Sequence, residues 1–296
     1  MSKALSSSAK KPYGLARVCR YWEIARSTVY DARARRERPL PLKKRGPKTR
    51  FCDAELLERI RQVFVDSPWV GEGHRKVWAQ LRADSVRTSK GRVLRLMREA
   101  NLLAPSRTGA PRGPQAHDGT IITERPDEMW GTDGTTTLTG EGQATIFVLV
   151  DHCTTECLGL HATARGTRFE ALEPVRQAVT EIFGGVDEAI AAGVLLRHDH
   201  GSVYTSEVFQ REIRFLGIES SPAFVRAPEG NGCAERFIRT LKEQLLWLRF
   251  FSTVAELNSA LADFRLRYNS SWRLQRHNYQ SPSDVRAAFN ALKNAA

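Results

Sequence analysis

Residues 144–152 read ATIFVLVDH, a run rich in β-branched side chains that has the length of a β-strand. The stretches on either side, residues 129–138 and 157–163, predict two more strands, the first of them rich in threonine. Three strands in such quick succession favour an antiparallel meander. This part of the chain is therefore expected to be built on a sheet.

Beyond the meander the pattern alternates between helix and strand. Residues 169–183 and 206–215 have helical spacing, residues 190–198 form another apolar run typical of a strand, and helices dominate from residue 231 to the end. Strands followed by alternating helices and strands predict an α/β domain of about 150 residues around one sheet.

The positive charge is concentrated at the front of the chain. The 296 residues carry a formal net charge of +12, with 15 Lys+Arg and 3 Asp+Glu in residues 1–50 and 12 against 8 in residues 51–120. Residues 121–296 contain 18 Lys+Arg and 22 Asp+Glu and are slightly acidic. We therefore expect a polyanion-binding front attached to a different kind of body, although a basic surface that serves only solubility is the alternative.

The first basic segment has the pattern of a helix-turn-helix. Leu15, Val18, Cys19 and Trp22 recur at helical spacing, and a second short helix is expected after a turn near residues 23–26. That second helix would present side chains to a DNA groove or to phosphates, although an ordinary helical hairpin would give the same pattern. The candidate contacts are Arg26, Ser27, Thr28 and Tyr30, joined by Lys43, Lys44 and Arg45 of a proline-rich basic stretch.

A second helical group follows this stretch. Apolar stripes predict one helix around residues 56–63, another around 77–81 and a third around 93–97. The third carries basic residues on one face, which predicts contacts with nucleic acid, although a solvated basic face is the alternative. The candidate contacts here are Lys90, Arg92 and Arg95.

Composition shifts divide the chain into six expected segments, because residues 105–120 are rich in proline and glycine and carry few large apolar side chains. The segments are an N-terminal helix-turn-helix (1–38), a basic linker (39–50), a second helical DNA-binding domain (51–103), a linker (104–122), an α/β core (123–252) and a C-terminal helical segment (253–296).

Three acidic residues stand at the ends or centres of predicted elements in the core. Asp133 lies within the first strand, Asp199 ends the fourth strand before a glycine turn, and Glu235 sits near the start of the following helix. Carboxylates from such positions can converge on Mg²⁺ or Mn²⁺, which favour oxygen ligands. From positions alone, three unrelated surface acids would explain the same pattern.

The spacing and surroundings of these acids resemble the DDE triad of the retroviral-integrase superfamily. Thirty-five residues separate Asp199 from Glu235, as in the D,D(35)E motif, and residues 198–206 (HDHGSVYTS) are similar to the second-aspartate motif. Residues 231–235 (NGCAE), followed by Leu241-Lys242, are similar to the third. Residues 268–269 (YN) with 281–282 (SP) resemble the closing segment. Together these motifs resemble the transposases of bacterial insertion sequences made by frameshifting, with this chain similar to the second-reading-frame product.

The resemblance implies an RNase H-like catalytic core, a mixed five-stranded sheet with flanking helices, preceded by all-α helix-turn-helix DNA-binding segments. It implies a transposase that binds the ends of its element and cuts and joins DNA strands with two Mg²⁺ ions, for which Mn²⁺ substitutes. Asp133, Asp199 and Glu235 would be both the catalytic residues and the metal ligands. Lys242 and Arg239, on the helix of Glu235, would contact DNA.

The implied partners are double-stranded DNA, as element terminal repeats and as target, further copies of the chain on that DNA, and an upstream reading-frame product. A non-catalytic sequence-specific DNA-binding regulator and a metal-dependent nuclease without strand transfer are the alternatives. No membrane span or secretory signal is expected, so we place the protein in the bacterial cytoplasm with the nucleoid.

Other constellations in the sequence carry less weight. Cys153 and Cys157 invite a zinc interpretation, but no second cysteine pair follows and buried thiols are expected. The five scattered cysteines also argue against a disulfide framework. No nucleotide-binding glycine loop or GxSxG motif is present in the sequence.

Overall fold

The computed structural model describes residues 3–37, 50–105, 121, 123–223 and 231–295. The chain forms two compact units, residues 1–50 and residues 51–296. Most of the two expected linkers, with Lys43, Lys44 and Arg45, lies outside the described residues. Within the described ranges, none of the helices has both the length and the apolar composition that crossing a membrane requires.

The first unit contains the two helices expected from residues 15–30. Helix α1 spans Leu15–Tyr21 and buries Cys19, and α2 spans Arg26–Glu37 without a buried residue. Basic side chains close the last turn of each helix, where they oppose the negative end of the helix dipole. The second helix therefore presents its residues to solvent.

The second unit begins with a three-helix group that has its own apolar core. Helices α3 (Asp53–Asp66), α4 (His74–Ala83) and α5 (Lys90–Glu99) match the three predicted helices. Their shared core includes Leu56, Ile60, Val77, Val93 and Met97, each with no exposed surface. Cys52 and Glu55 form a capping box that satisfies the first amides of α3.

A mixed five-stranded sheet follows, in the order β3-β2-β1-β4-β5. Strands β1 (Met129–Thr139), β2 (Gly142–Asp151) and β3 (Cys157–Thr163) form the predicted antiparallel meander. Strands β4 (Leu195–His198) and β5 (Glu219–Pro222) add in parallel to β1. The strand predicted over residues 190–198 is wrong at its start, because Ala189 and Gly193 take left-handed φ angles of 54° and 94° and hold residues 190–194 in turns.

The remaining elements cover the sheet. They are a 3₁₀ turn at Glu170–Leu172, α6 (Glu173–Phe183), α7 (Ser202–Thr205), α8 (Glu207–Phe215), α9 (Gly232–Leu241), a π-helical turn at Lys242–Leu246, α10 (Val254–Ser271), a second 3₁₀ turn at Gln275–His277 and α11 (Pro282–Ala295).

Separate apolar clusters lie on the two faces of the sheet. Ile146, Val148 and Val150 of β2 pack with α9 and α10 on one face, while Phe147 and Leu149 of the same strand pack with α6 and α8 on the other. Alternation along β2 produces this division, since successive side chains point to opposite faces. Helices on both faces of this mixed sheet confirm the α/β, RNase H-like core expected from the sequence.

The cysteines behave as the sequence indicates. All five are free, and Cys19, Cys153, Cys157 and Cys233 are buried. Burial raises the pKa of Cys153 to about 11 and raises that of Cys157 further, so both remain protonated at neutral pH. Neutral thiols are poor metal ligands, and the expectation of buried thiols is confirmed.

Candidate active site

Asp133 sits in the middle of the central strand, β1. Its register partner on β2 is Val148, which belongs to the apolar cluster under α9 and α10, so the Asp133 side chain points to that face of the sheet. Its Oδ1 accepts a 2.7 Å hydrogen bond from the Gly134 amide. A half-buried carboxylate is thereby held at the edge of the core.

Asp199 follows directly on β4, the parallel neighbour of β1. Gly131 pairs with Arg197, so Asp133 and Asp199, each two residues further on, lie at the same level of adjacent chain segments. Neighbouring strands are about 4.8 Å apart. The Gly201 amide donates to Asp199 Oδ1 over 2.8 Å, which turns the chain sharply after the strand.

Glu235 comes from α9, the helix that packs on β1 and β2. The apolar side chains of this helix are buried, including Ala234, Phe237, Ile238 and Leu241, whereas Glu235 itself is exposed. Helix α9 therefore brings a third carboxylate to the face of the sheet toward which Asp133 points.

The three carboxylates share one electrostatic environment. Burial, together with the negative charges of Asp199 and Glu235, raises the pKa of Asp133 to about 6. The Gly134 hydrogen bond and the charge of Lys242 oppose this increase. Asp199, Glu235 and Lys242 thus each act electrostatically on Asp133, and the negative charge around Asp133 is of the kind that a cation would neutralise.

The donor set fits a hard divalent cation, because it offers carboxylate oxygens alone. Within the described residues, however, no group of three or more His, Cys, Asp or Glu side chains is arranged closely enough to hold a metal ion. Asp133 and Asp199 each have one oxygen tied to a backbone amide, which leaves their second oxygens for ligation.

The basic residues next to Glu235 differ from each other. Lys242 begins the π-helical turn that continues α9, and its charge reaches Asp133. Arg239 is exposed and pairs with Glu243 over 2.9 Å. Of the two predicted DNA contacts, Lys242 is the one that the structure associates with the carboxylates.

Asn231 is a site residue that the sequence reasoning did not assign. Its side chain is buried, and its Nδ2 donates to the Thr132 carbonyl oxygen over 2.9 Å, joining the start of α9 to the residue before Asp133. A Cβ at Gly131 would lie 2.8 Å from His152 Nε2 and 3.1 Å from Asn231 Oδ1, so this approach requires glycine. A glycine inside a predicted strand was the available signal.

The imidazoles of His198 and His200 contact residues in β5 and directly after it. His198 Nε2 lies 2.8 Å from Ser220 Oγ, and His200 Nε2 lies 2.6 Å from the Ala223 carbonyl oxygen. Burial lowers the pKa of His198, which favours its neutral form. Both imidazoles thus help to hold the chain that carries Asp199.

The predicted DNA contacts of the helical segments fall into two groups. Arg26, Ser27, Thr28 and Tyr30 on α2 are exposed. On α5, the residues are engaged within the unit: Arg92 and Arg95 both reach the Asp53 carboxylate over 2.6 Å, and Lys90 Nζ lies 4.5 Å from the centre of the Trp78 ring.

Comparisons with known proteins agree with this architecture. Residues 52–109 match the HTH-like domain family, and residues 216–282 match the integrase core domain family. The chain thus contains one segment similar to HTH-like domains and another similar to integrase core domains, in agreement with the resemblance noted from the sequence.

Curated relatives give a more specific similarity. The chain is 30% identical over 201 residues to the transposase InsD for insertion element IS2A/D/F/H/I/K of Escherichia coli, an alignment that covers 66% of this chain and 65% of the relative. It is thus homologous to IS2 transposases and spans about two thirds of their length.

Two of the solved structures to which the chain is similar are of retroviral proteins. The catalytic core domain of BIV integrase is 18% identical, with a TM-score of 0.43 over 57% of this chain and 99% of that one. A simian T-cell lymphotropic virus intasome, in complex with PP2A regulatory subunit B56 gamma, is 17% identical, with a TM-score of 0.47 over 77% of this chain and 74% of that one.

Proposed function

We propose that this protein is a DNA transposase that binds the ends of an insertion element and catalyses strand cleavage and strand transfer. The observation that carries the proposal is that Asp133 and Asp199 lie at the same level of adjacent chain segments. The charge of Glu235 acts on the Asp133 carboxylate. Homology to IS2 transposases supports it.

In this proposal, Asp133, Asp199 and Glu235 would hold two Mg²⁺ ions through their carboxylate oxygens. When bound, such ions activate the attacking oxygen and stabilise the departing one in an in-line displacement at phosphorus. Asn231 and the Gly134 and Gly201 amides hold the carboxylates and their elements in place. Lys242 provides a positive charge for the phosphate backbone.

The proposed partner is double-stranded DNA, as element ends and as target. The HTH-like helices and the exposed basic face of α2 supply positive groups of the kind that phosphates and groove edges attract. Because the resemblance implies that two element ends are brought together, we propose that the protein works as a homo-oligomer on DNA, with an upstream reading-frame product as a further candidate partner.

A strand-joining assay tests the proposal. The full chain is incubated with labelled element ends and Mg²⁺, and the products are separated by length. The expected result is that joined strands form with Mg²⁺ but not when EDTA is present during the reaction, while end binding persists in both conditions. Cleavage without joining would instead support the nuclease alternative, and sequence-specific binding without cleavage would support the regulator.

A further inference from the structure

The loop between α3 and α4 anchors the HTH-like helices to the catalytic core. Its Trp69 is 5% exposed and belongs to the apolar cluster of the core. The ring packs edge-on against Phe264 and Trp272, with centroid distances of 5.8 and 4.9 Å, and its Nε1–H donates to Ser271 Oγ over 3.2 Å. The next residue, Val70, is therefore held at a fixed place beside the core.

Gln244 binds both backbone groups of Val70. The Val70 amide donates to Gln244 Oε1 over 2.8 Å, and Gln244 Nε2 donates to the Val70 carbonyl oxygen over 2.9 Å. One side-chain amide thus pairs with the loop as a neighbouring β-strand would. Both bonds lie near solvent, so their removal changes the stability of the whole unit little.

Gln244 belongs to the π-helical turn, Lys242–Leu246, that continues the helix of Glu235. Leu245 and Leu246 of this turn are buried in the same cluster as Trp69. Lys242, at the start of the turn, acts electrostatically on Asp133. Single π-turns within helices frequently occur at functional sites. The turn therefore connects the loop of the HTH-like helices with the charged residues of the active site.

We propose that Gln244 is a positioning residue that uses this pairing to set Lys242 and the end of α9 relative to the HTH-like helices. The inference rests on the proposed function. It adds a route by which the HTH-like helices, as the DNA-binding part, fix the position of the catalytic carboxylates. Small misplacements of a positioning group have large effects on a reaction that depends on alignment.

A second glutamine that also bonds between the three-helix group and the core, but away from the π-turn, provides a matched control. Gln80 of α4 accepts a 3.2 Å hydrogen bond from Arg273, which follows α10. Gln80→Met and Gln244→Met each replace an amide by an apolar chain of similar length. Only Gln244→Met removes an amide that belongs to the π-turn.

The experiment compares both variants with the unsubstituted full chain on labelled element ends with Mg²⁺. For Gln244→Met we expect the cleavage rate at saturating DNA to fall about 10-fold to 100-fold, the scale of small misalignments, with end affinity unchanged. Gln80→Met is expected to keep both quantities. Gln244→Glu retains the acceptor for the Val70 amide and is expected to lie between Gln244→Met and the unsubstituted chain.

Hydrogen exchange provides a readout that does not depend on catalysis. The amides of Lys242–Leu246 should exchange faster in Gln244→Met than in Gln80→Met or the unsubstituted chain. Equal exchange and equal rates in all three would overturn the inference, as would equal slowing by both Met variants. If the unsubstituted chain cuts no DNA, the proposed function fails, and hydrogen exchange alone then decides the positioning role.

Discussion

The acidic site and the basic helix α2 are built in opposite ways. Asp133 and Asp199 stand on a sheet whose two faces are buried, Glu235 stands on the helix packed against it, and hydrogen bonds from Gly134, Gly201 and Asn231 fix their surroundings. Helix α2 buries none of its residues and exposes its cations. Chemistry at one phosphorus atom needs defined positions, whereas attraction to a phosphate backbone needs charge within reach. Cleavage and binding should therefore be separable by substitution.

The sharpest separation is expected at the carboxylates. Asp133→Asn, Asp199→Asn and Glu235→Gln keep side-chain size but remove the charge, so each should lower Mg²⁺-dependent cleavage by about 10³-fold or more, as expected for groups at the reacting centre. End affinity, measured by gel shift, should remain. Asp263→Asn changes an exposed acid on α10 and is the control. Loss of binding together with cleavage in all three variants would indicate a structural role.

The three-helix group should behave like the core rather than like α2. Leu56 has no exposed surface, so Leu56→Ala should lower the free energy of unfolding by about 2–5 kcal/mol. Tyr30 on α2 is 57% exposed, and Tyr30→Ala should leave the same transition unchanged. Urea unfolding of the full chain, followed through the transition of residues 51–296, measures the effect of both substitutions. Equal effects would remove the distinction between the two helical regions.

Deleting residues 1–50 should change binding without changing chemistry. These residues carry 15 Lys+Arg, and each phosphate that they no longer neutralise should flatten the slope of log affinity against log salt by about 0.9. The cleavage rate at saturating DNA should persist, since the site lies in the other unit. A salt slope that stays the same would show that the basic front is not the anchor.

The smallest effect is expected at Asp53, which holds two predicted DNA contacts. Hydrogen bonds from Arg95 and Arg92 lower the pKa of Asp53 below its ordinary 3.8. The ionised carboxylate therefore adds stability at neutral pH, which is lost as the pH falls through the lowered pKa. Asp53→Asn should cost about 0.5 kcal/mol, the scale of exposed ion pairs, and remove this acid-side dependence.

The same variant tests DNA contact by α5. Asp53→Asn removes one charged partner of both Arg92 and Arg95, which keep their contacts with Phe51 and Glu99, so gel shifts should report slightly tighter DNA binding. Weaker binding would show that the pairing presents these arginines to DNA rather than withholding them.

Local patterns were sufficient for several elements. Strands β1 to β3 and helices α3 to α5 could be predicted because β-branched runs and helical spacing are local signals. Strand β5 could not, since Glu219–Pro222 (ESSP) has no apolar alternation and forms only by pairing with β4. Nearness in space, such as that of Arg92 and Asp53 or of Asn231 and Thr132, depends on tertiary packing that no local pattern encodes.

The most direct test of the account is the location of Mn²⁺ in crystals of the full chain bound to element ends, found from anomalous scattering. The account predicts Mn²⁺ bound to Asp133 together with Asp199 and Glu235, at about the 2.1 Å expected for Mg²⁺ and carboxylate oxygen. Mn²⁺ bound elsewhere, or carboxyl groups more than about 10 Å apart around ions that should lie about 4 Å from each other, would contradict it.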